Sequence, residues 1–126
     1  MTAQETGPAA AVRALMEKYV EAVYKADVAT LGTLFHPAAV TSGYLGDMLL
    51  AGSPEPFLVD VGGRPSMEAT GAPYKAQILD IQASARTAGL RLEETGFFGT
   101  TSFVNYFHLL KVEGEWKIVA KTFESV

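Results

Sequence analysis

A chain of 126 residues is long enough to bury a core of its own and is expected to form one domain, 1–126. A net charge of −4 with ten scattered Lys and Arg gives no basic stripe for a nucleic-acid backbone, and 48% hydrophobic residues without a bilayer-length apolar run exclude a membrane-spanning helix. With no cysteine there is neither a disulfide framework nor a thiol nucleophile, and residues 1–7 lack the pattern of a signal peptide, so a cytoplasmic protein is expected.

Thr6, Gly7 and Pro8 read as a helix start, since proline at the first helical position loses no hydrogen bond. The helix is expected to run to about Lys25. Val12, Leu15, Met16, Tyr19, Val20 and Val23 recur at the 3.6-residue period on one arc, and Arg13, Glu17, Lys18, Glu21 and Lys25 fill the other. Tyr19 lies mid-arc, so its hydroxyl must find an internal partner or point into a cavity. Asp27 caps a second helix containing Leu31, Leu34 and Phe35, which ends where Pro37 biases His36 out of helical geometry. Val40 to Tyr44 and Met48 to Ala51 flank Gly46-Asp47, a hairpin-turn dipeptide. Ser53, Pro54 and Glu55 start a two-turn helix with Phe57, Leu58 and Val61 on its apolar side, and Gly62-Gly63 ends it. Residues 64–73, RPSMEATGAP, have turn chemistry and no period, so they read as a loop across an opening.

From Tyr74 the chain reads as strand. Ala76 to about Ala85 forms one strand and Leu90 to about Phe98 the next, where Glu94 shares a face with Leu90 and Leu92. Glu94 is therefore inward if the leucines are, unless a twist or bulge near Gly96 turns it to solvent. The last two strands form a hairpin turning at Glu113 and Gly114. Pairing Lys111 with Trp116 sets Leu109 opposite Ile118, Phe107 opposite Ala120 and Asn105 opposite Thr122, all on the face of Phe103 and Trp116. Strict alternation puts Val104, Tyr106, His108, Leu110, Val119, Lys121 and Phe123 on the other face. Both faces are apolar enough to need a cover. The pattern is α+β: a long N-terminal helix and two short ones packed on one face of an antiparallel sheet.

The string from Tyr19, YVEAVYKADVATLGTLFHPAAV, together with the closing GEWKIVAKTF, resembles the nuclear transport factor two-like superfamily, most of all its SnoaL-like, putative lumazine-binding branch. The resemblance implies a cone: a curved antiparallel sheet wrapped around the long helix, a small-ligand pocket at the wide end, and pairing through the outer sheet face. The superfamily includes ketosteroid isomerase. An ungapped alignment on Tyr19 and Asp27 sets Tyr19 at the isomerase's oxyanion tyrosine and Gly43 at its catalytic base, and glycine carries no proton acceptor, so that mechanism is not supported. Asn105, or Tyr106 if the register slips, falls near its second acid. The inward Asp or His of the superfamily's cyclases and dehydratases has no residue-by-residue counterpart here.

The expected activity is binding of a small, mostly apolar organic molecule, lined by Tyr19, Tyr44, Phe57, Phe103, Asn105, Phe107 and Trp116. The alternative is a cofactor-independent isomerase, cyclase or dehydratase, in which a poorly hydrated Glu94 is the general acid or base and Tyr19 or Asn105 the oxyanion donor. A third reading is a dimerisation module whose interior is filled by its own side chains. Val104, Tyr106, His108, Leu110, Val119 and Phe123 would be the surface of a homodimer. No cofactor is implied, and His36 and His108, on separate elements without spaced carboxylates, make no metal-site signature.

Overall fold

The computed structural model describes residues 5–126, so residues 1–4 of the expected domain lie outside the described residues. Helix α1 spans Gly7–Lys25 and α2 Val28–Thr33; strands β1 (Phe35–Leu45) and β2 (Met48–Gly52) follow, then helices α3 (Glu55–Gly62) and α4 (Met67–Thr70). Strands β3 (Lys75–Ala83), β4 (Thr87–Phe97), β5 (Thr101–Val112) and β6 (Glu115–Ser125) complete the chain. One curved sheet has the order β2-β1-β6-β5-β4-β3, with every pair antiparallel except β1 with β6, which is parallel. That parallel pair departs from the all-antiparallel expectation. It forms because the long connection from β1 to β6, through β2, two helices and β3–β5, lets the chain return beside β1 in the same direction. Among the described residues no helix is long and apolar enough to cross a membrane.

The α1 period is realised: Val12, Met16, Tyr19, Ala22 and Val23 are buried against the concave face of the sheet. Ala26, in the left-handed region at φ 55°, ends α1, and the Asp27 carboxylate caps α2 by accepting from Thr30 N at 3.1 Å. Helix α2 stops at Thr33, two residues short of the expected Phe35. The competing partner is β6: Ile118 N donates to Leu34 O, Lys117 Nζ donates to Thr33 O, and Phe35 pairs with Ile118. Gly46 at φ 60° gives the β1–β2 turn the left-handed first position it requires.

Two segments differ from expectation in ways that shape the site. Residues 64–73 contain a helical turn, α4, rather than an open loop. Ser66 Oγ caps it by accepting from Ala69 N, Gly71 closes it at φ 70°, and Met67 is fully buried. The second difference is a bulge in β6. Leu109 faces Ile118 as expected, but His108 then faces Ala120, so Val119 is an extra residue without a partner. Beyond it the faces are exchanged: Phe107 lies opposite Lys121 and Asn105 opposite Phe123, while Thr122, expected inward, is exposed opposite Tyr106. Lys121 and Phe123, expected on the outer face, turn into the cone. Phe123 thus leaves the expected dimer surface, and its ring centroid lies 6.1 Å from that of Phe103.

Candidate functional site

The interior of the cone holds a buried polar cluster assembled from α1, β4, β5, β6 and the segment ahead of β3. Glu94 is 4% exposed, continuing the inward row of Leu90 and Leu92. The register break between β4 and β5 falls after Glu94, so it does not turn the carboxylate to solvent. Gly96, at φ 65°, lets the chain at Pro73 close onto β4, where a Cβ would lie 2.1 Å from Pro73 O. The approach delivers Tyr74, whose hydroxyl donates to Glu94 Oε2 at 2.5 Å. Asn105 Nδ2 donates to Glu94 Oε1 at 2.7 Å and to Leu92 O at 3.1 Å. The buried amide therefore has its partners in a carboxylate and a carbonyl, and the register shift removes Thr122 from its reach.

Lys121 forms the second half of the cluster. Its Nζ donates to Tyr19 Oη at 3.0 Å and stands 3.7 Å from the Phe57 ring centroid, with the rings of Tyr19, Phe107 and Phe123 within 6 Å. Among the described residues no carboxylate lies within ion-pair distance of it. Burial pushes the ammonium down to about 8, against the attraction of Glu94, which holds it up. Burial raises the Tyr19 phenol well above its ordinary value, and the negative charge of Glu94 adds to the effect. Tyr74 is raised by burial first, then by the charge of Glu94 and by the hydrogen bond to it. Both phenols therefore stay protonated at neutral pH. Thr41, the register partner of Lys121 on β1, is buried, and its hydroxyl has no hydrogen-bond partner among the described residues.

Of the residues expected to line a ligand site, Tyr19, Asn105 and Phe107 meet in this cluster, each at most 1% exposed, and Phe57 covers it, stacked on Tyr19 with ring centroids 6.2 Å apart. Phe103 stands beside it in a run of edge-on rings between Phe97 and Phe123. Tyr44 and Trp116 do not join them. Tyr44 pairs with Glu124 and is half exposed, and Trp116, half-buried near the β5–β6 turn, lies five residues from Lys121, roughly 15 Å along the strand. His36 Nδ1 accepts from Ala38 N in a local turn, and His108 is exposed on the outer face. Among the described residues no group of three or more His, Asp or Glu is placed to hold a metal ion.

Lys121, Tyr74 and Thr41 belong to the cluster and escaped the sequence reading. The one available signal was a lysine set between the apolar run Ile118–Ala120 and Phe123, which strict alternation assigned to the wrong face. Chemically, the cluster holds a carboxylate that accepts from two donors and, apart from it, an ammonium that donates to one phenol oxygen. Lys121 is 5% exposed, and a surface groove between α1 and β3 reaches the cluster at Tyr74.

Residues 8–124 match the family model described as putative lumazine-binding. No curated protein matches the chain. Among solved structures, the chain is similar to an NTF2-like protein of unknown function from Shewanella baltica OS155, at 27% identity and TM-score 0.80, covering 93% of this chain and 92% of that one. It is also similar to an NTF2-like protein of unknown function from Methylobacillus flagellatus KT, at 22% identity and TM-score 0.82 over 93% and 90% of the two chains. A protein from Streptomyces avermitilis described as a putative dehydratase of the NTF2-like family shares the fold at 17% identity and TM-score 0.66, over 94% and 95%.

Proposed function

We propose, from the premise that the chain belongs to the putative lumazine-binding family of nuclear transport factor two-like folds, that it binds a small planar organic molecule through an acceptor oxygen at Lys121 and Tyr19. One observation carries this reading: among the described residues, a buried ammonium with three donors has a single hydrogen bond and no carboxylate beside it. An uncompensated buried cation is costly, and a ligand oxygen at Nζ offsets that cost while the aromatic walls receive a flat ring. Phe57 is half-buried on a two-turn helix and covers Nζ, so entry runs past its ring.

Calorimetric titration with lumazine and with 4-hydroxybenzoate tests the proposal. Saturable binding of at least one probe is expected, weakened tenfold or more by Lys121→Met, since a charge-assisted hydrogen bond is worth about 1.5–3 kcal/mol. Failure of both probes, or equal binding by the variant, overturns it. A second reading, an acid-base enzyme, is favoured by one further observation: Glu94, with its two donors, and Lys121 share one buried cluster. Under that reading Glu94→Gln keeps the binding and loses turnover.

We also propose that two copies pair through the convex face. Tyr106 is 50% exposed and Leu110 39% exposed, alongside Val40 at 51% and the half-buried Val104 and Val119. Sedimentation at micromolar concentration is expected to give a dimer and Tyr106→Glu a monomer. A monomeric wild-type protein rejects the pairing.

A further inference from the structure

Lys121 has the surroundings of a nucleophile rather than of a structural cation. Its Nζ is enclosed by aromatic rings, its hydrogen bond goes to a phenol, and the charged group facing it, Glu94, is already engaged by Tyr74 and Asn105. A lysine in such an apolar enclosure holds a larger share of the neutral amine, the form with a lone pair to share, than an exposed lysine does. The other five lysines, at positions 18, 25, 75, 111 and 117, are exposed or half-buried. Burial brings the Lys121 amine down to about 8, within reach of neutral pH.

We propose that Lys121 forms an imine with an aldehyde or ketone carbonyl of the bound molecule, which makes the ligand class a planar carbonyl compound. This inference rests on the binding reading above and adds the covalent step. The neutral Nζ attacks the carbonyl carbon; a C–N bond forms and the C=O π pair moves to oxygen, which takes up a proton as the nitrogen gives one up, leaving a carbinolamine. The nitrogen lone pair then closes C=N as the hydroxyl leaves with a second proton as water, and the nitrogen releases its remaining proton. One amine and one carbonyl give one imine and one water, with no change of oxidation state. Tyr19, protonated and 3.0 Å from Nζ, is the donor nearest the forming oxygen, and the unpartnered Thr41 hydroxyl faces the same residue across the β1–β6 pair.

The test is reductive trapping at pH 7 with 4-hydroxybenzaldehyde and cyanoborohydride, read by intact mass and peptide mapping. Lys121 is expected to gain the reduced adduct at least tenfold faster than any other lysine. Phe57→Ala is expected to speed that labelling, and Lys121→Met to leave only the slow surface labelling. 4-Hydroxybenzoate, which has the same ring and a carboxylate in place of the aldehyde, is expected to slow labelling at Lys121 alone. If the benzoate binds and depends on Lys121 but the aldehyde labels Lys121 no faster than the surface lysines, in wild type and in Phe57→Ala, the imine is overturned and the binding reading stands. If neither compound acts at Lys121 the imine is overturned, and the binding reading falls with it when lumazine also fails to bind.

Discussion

Replacing Lys121 with methionine is expected to stabilise the fold by about 2 kcal/mol at pH 7, and the gain is expected to approach zero near pH 9.5. The residue enters an aromatic enclosure, and burial lowers its ammonium from 10.5 to about 8. Each unit of that displacement corresponds to about 1.4 kcal/mol, so holding the charged form inside the cone costs roughly 3 kcal/mol. Losing the hydrogen bond to Tyr19 offsets roughly 1 kcal/mol of the gain. Between pH 8 and 10.5 the unfolded chain keeps the proton that the folded one releases, so wild-type stability rises with pH across that window, and methionine has no proton to lose. The raised phenols of Tyr19 and Tyr74 act in the opposite sense, stabilising below pH 10 and losing that contribution above it, but both proteins carry them. Urea titrations of the two proteins at pH 7, 8.5 and 9.5 measure the difference directly. A variant no more stable than wild type at pH 7, or a gap that ignores pH, would show that Lys121 is compensated in the fold.

Gly43→Ala is expected to lose at least about 3 kcal/mol, and Gly43→Asp to yield little folded protein. Gly43 sits on β1 opposite Phe123 of β6, and a Cβ there would stand 2.1 Å from Phe123 O and 2.6 Å from its ring. The nearest obstacle is backbone, so relief requires β1 to part from β6. Aspartate would add a charge at the same buried position. Gly89→Ala is the control, since its Cβ would meet His108 Nδ1 at 3.5 Å, an ordinary contact. Denaturation midpoints for the three variants check this; a Gly43→Ala protein as stable as Gly89→Ala would refute the steric account. The result also bears on function. The carbonyl and ring of Phe123 occupy the space a side chain at position 43 would need, so no single substitution there adds a proton acceptor without moving β6.

Much of the architecture was legible in local pattern. The α1 arc, the Asp27 cap, the Gly46-Asp47 and Glu113-Gly114 turns and the inward row of β4 each follow from a period or a backbone preference confined to a few neighbouring residues. The family resemblance, carried by the stretch from Tyr19 and by the closing strand, agrees with the model match over residues 8–124. Leu34 and Phe35 show where local pattern loses: a good helical spacing gave way to hydrogen bonds from a strand more than eighty residues later. Met67 shows the same at the cover, where a stretch without a period still made one capped turn because its methionine had a core to enter.

By itself the sequence determined most of the elements, the fold family and an inward Tyr19, Asn105 and Phe107, because helix and strand periods are written in consecutive residues. Only the tertiary structure decided which charged groups face one another. One unpaired residue, Val119, exchanges the faces of the final strand and brings Lys121 inward, and a close approach at Gly96 brings Tyr74 to Glu94. A bulge is a property of two strands in register, and a close approach is a property of two segments in space, so neither is present in any single run of residues.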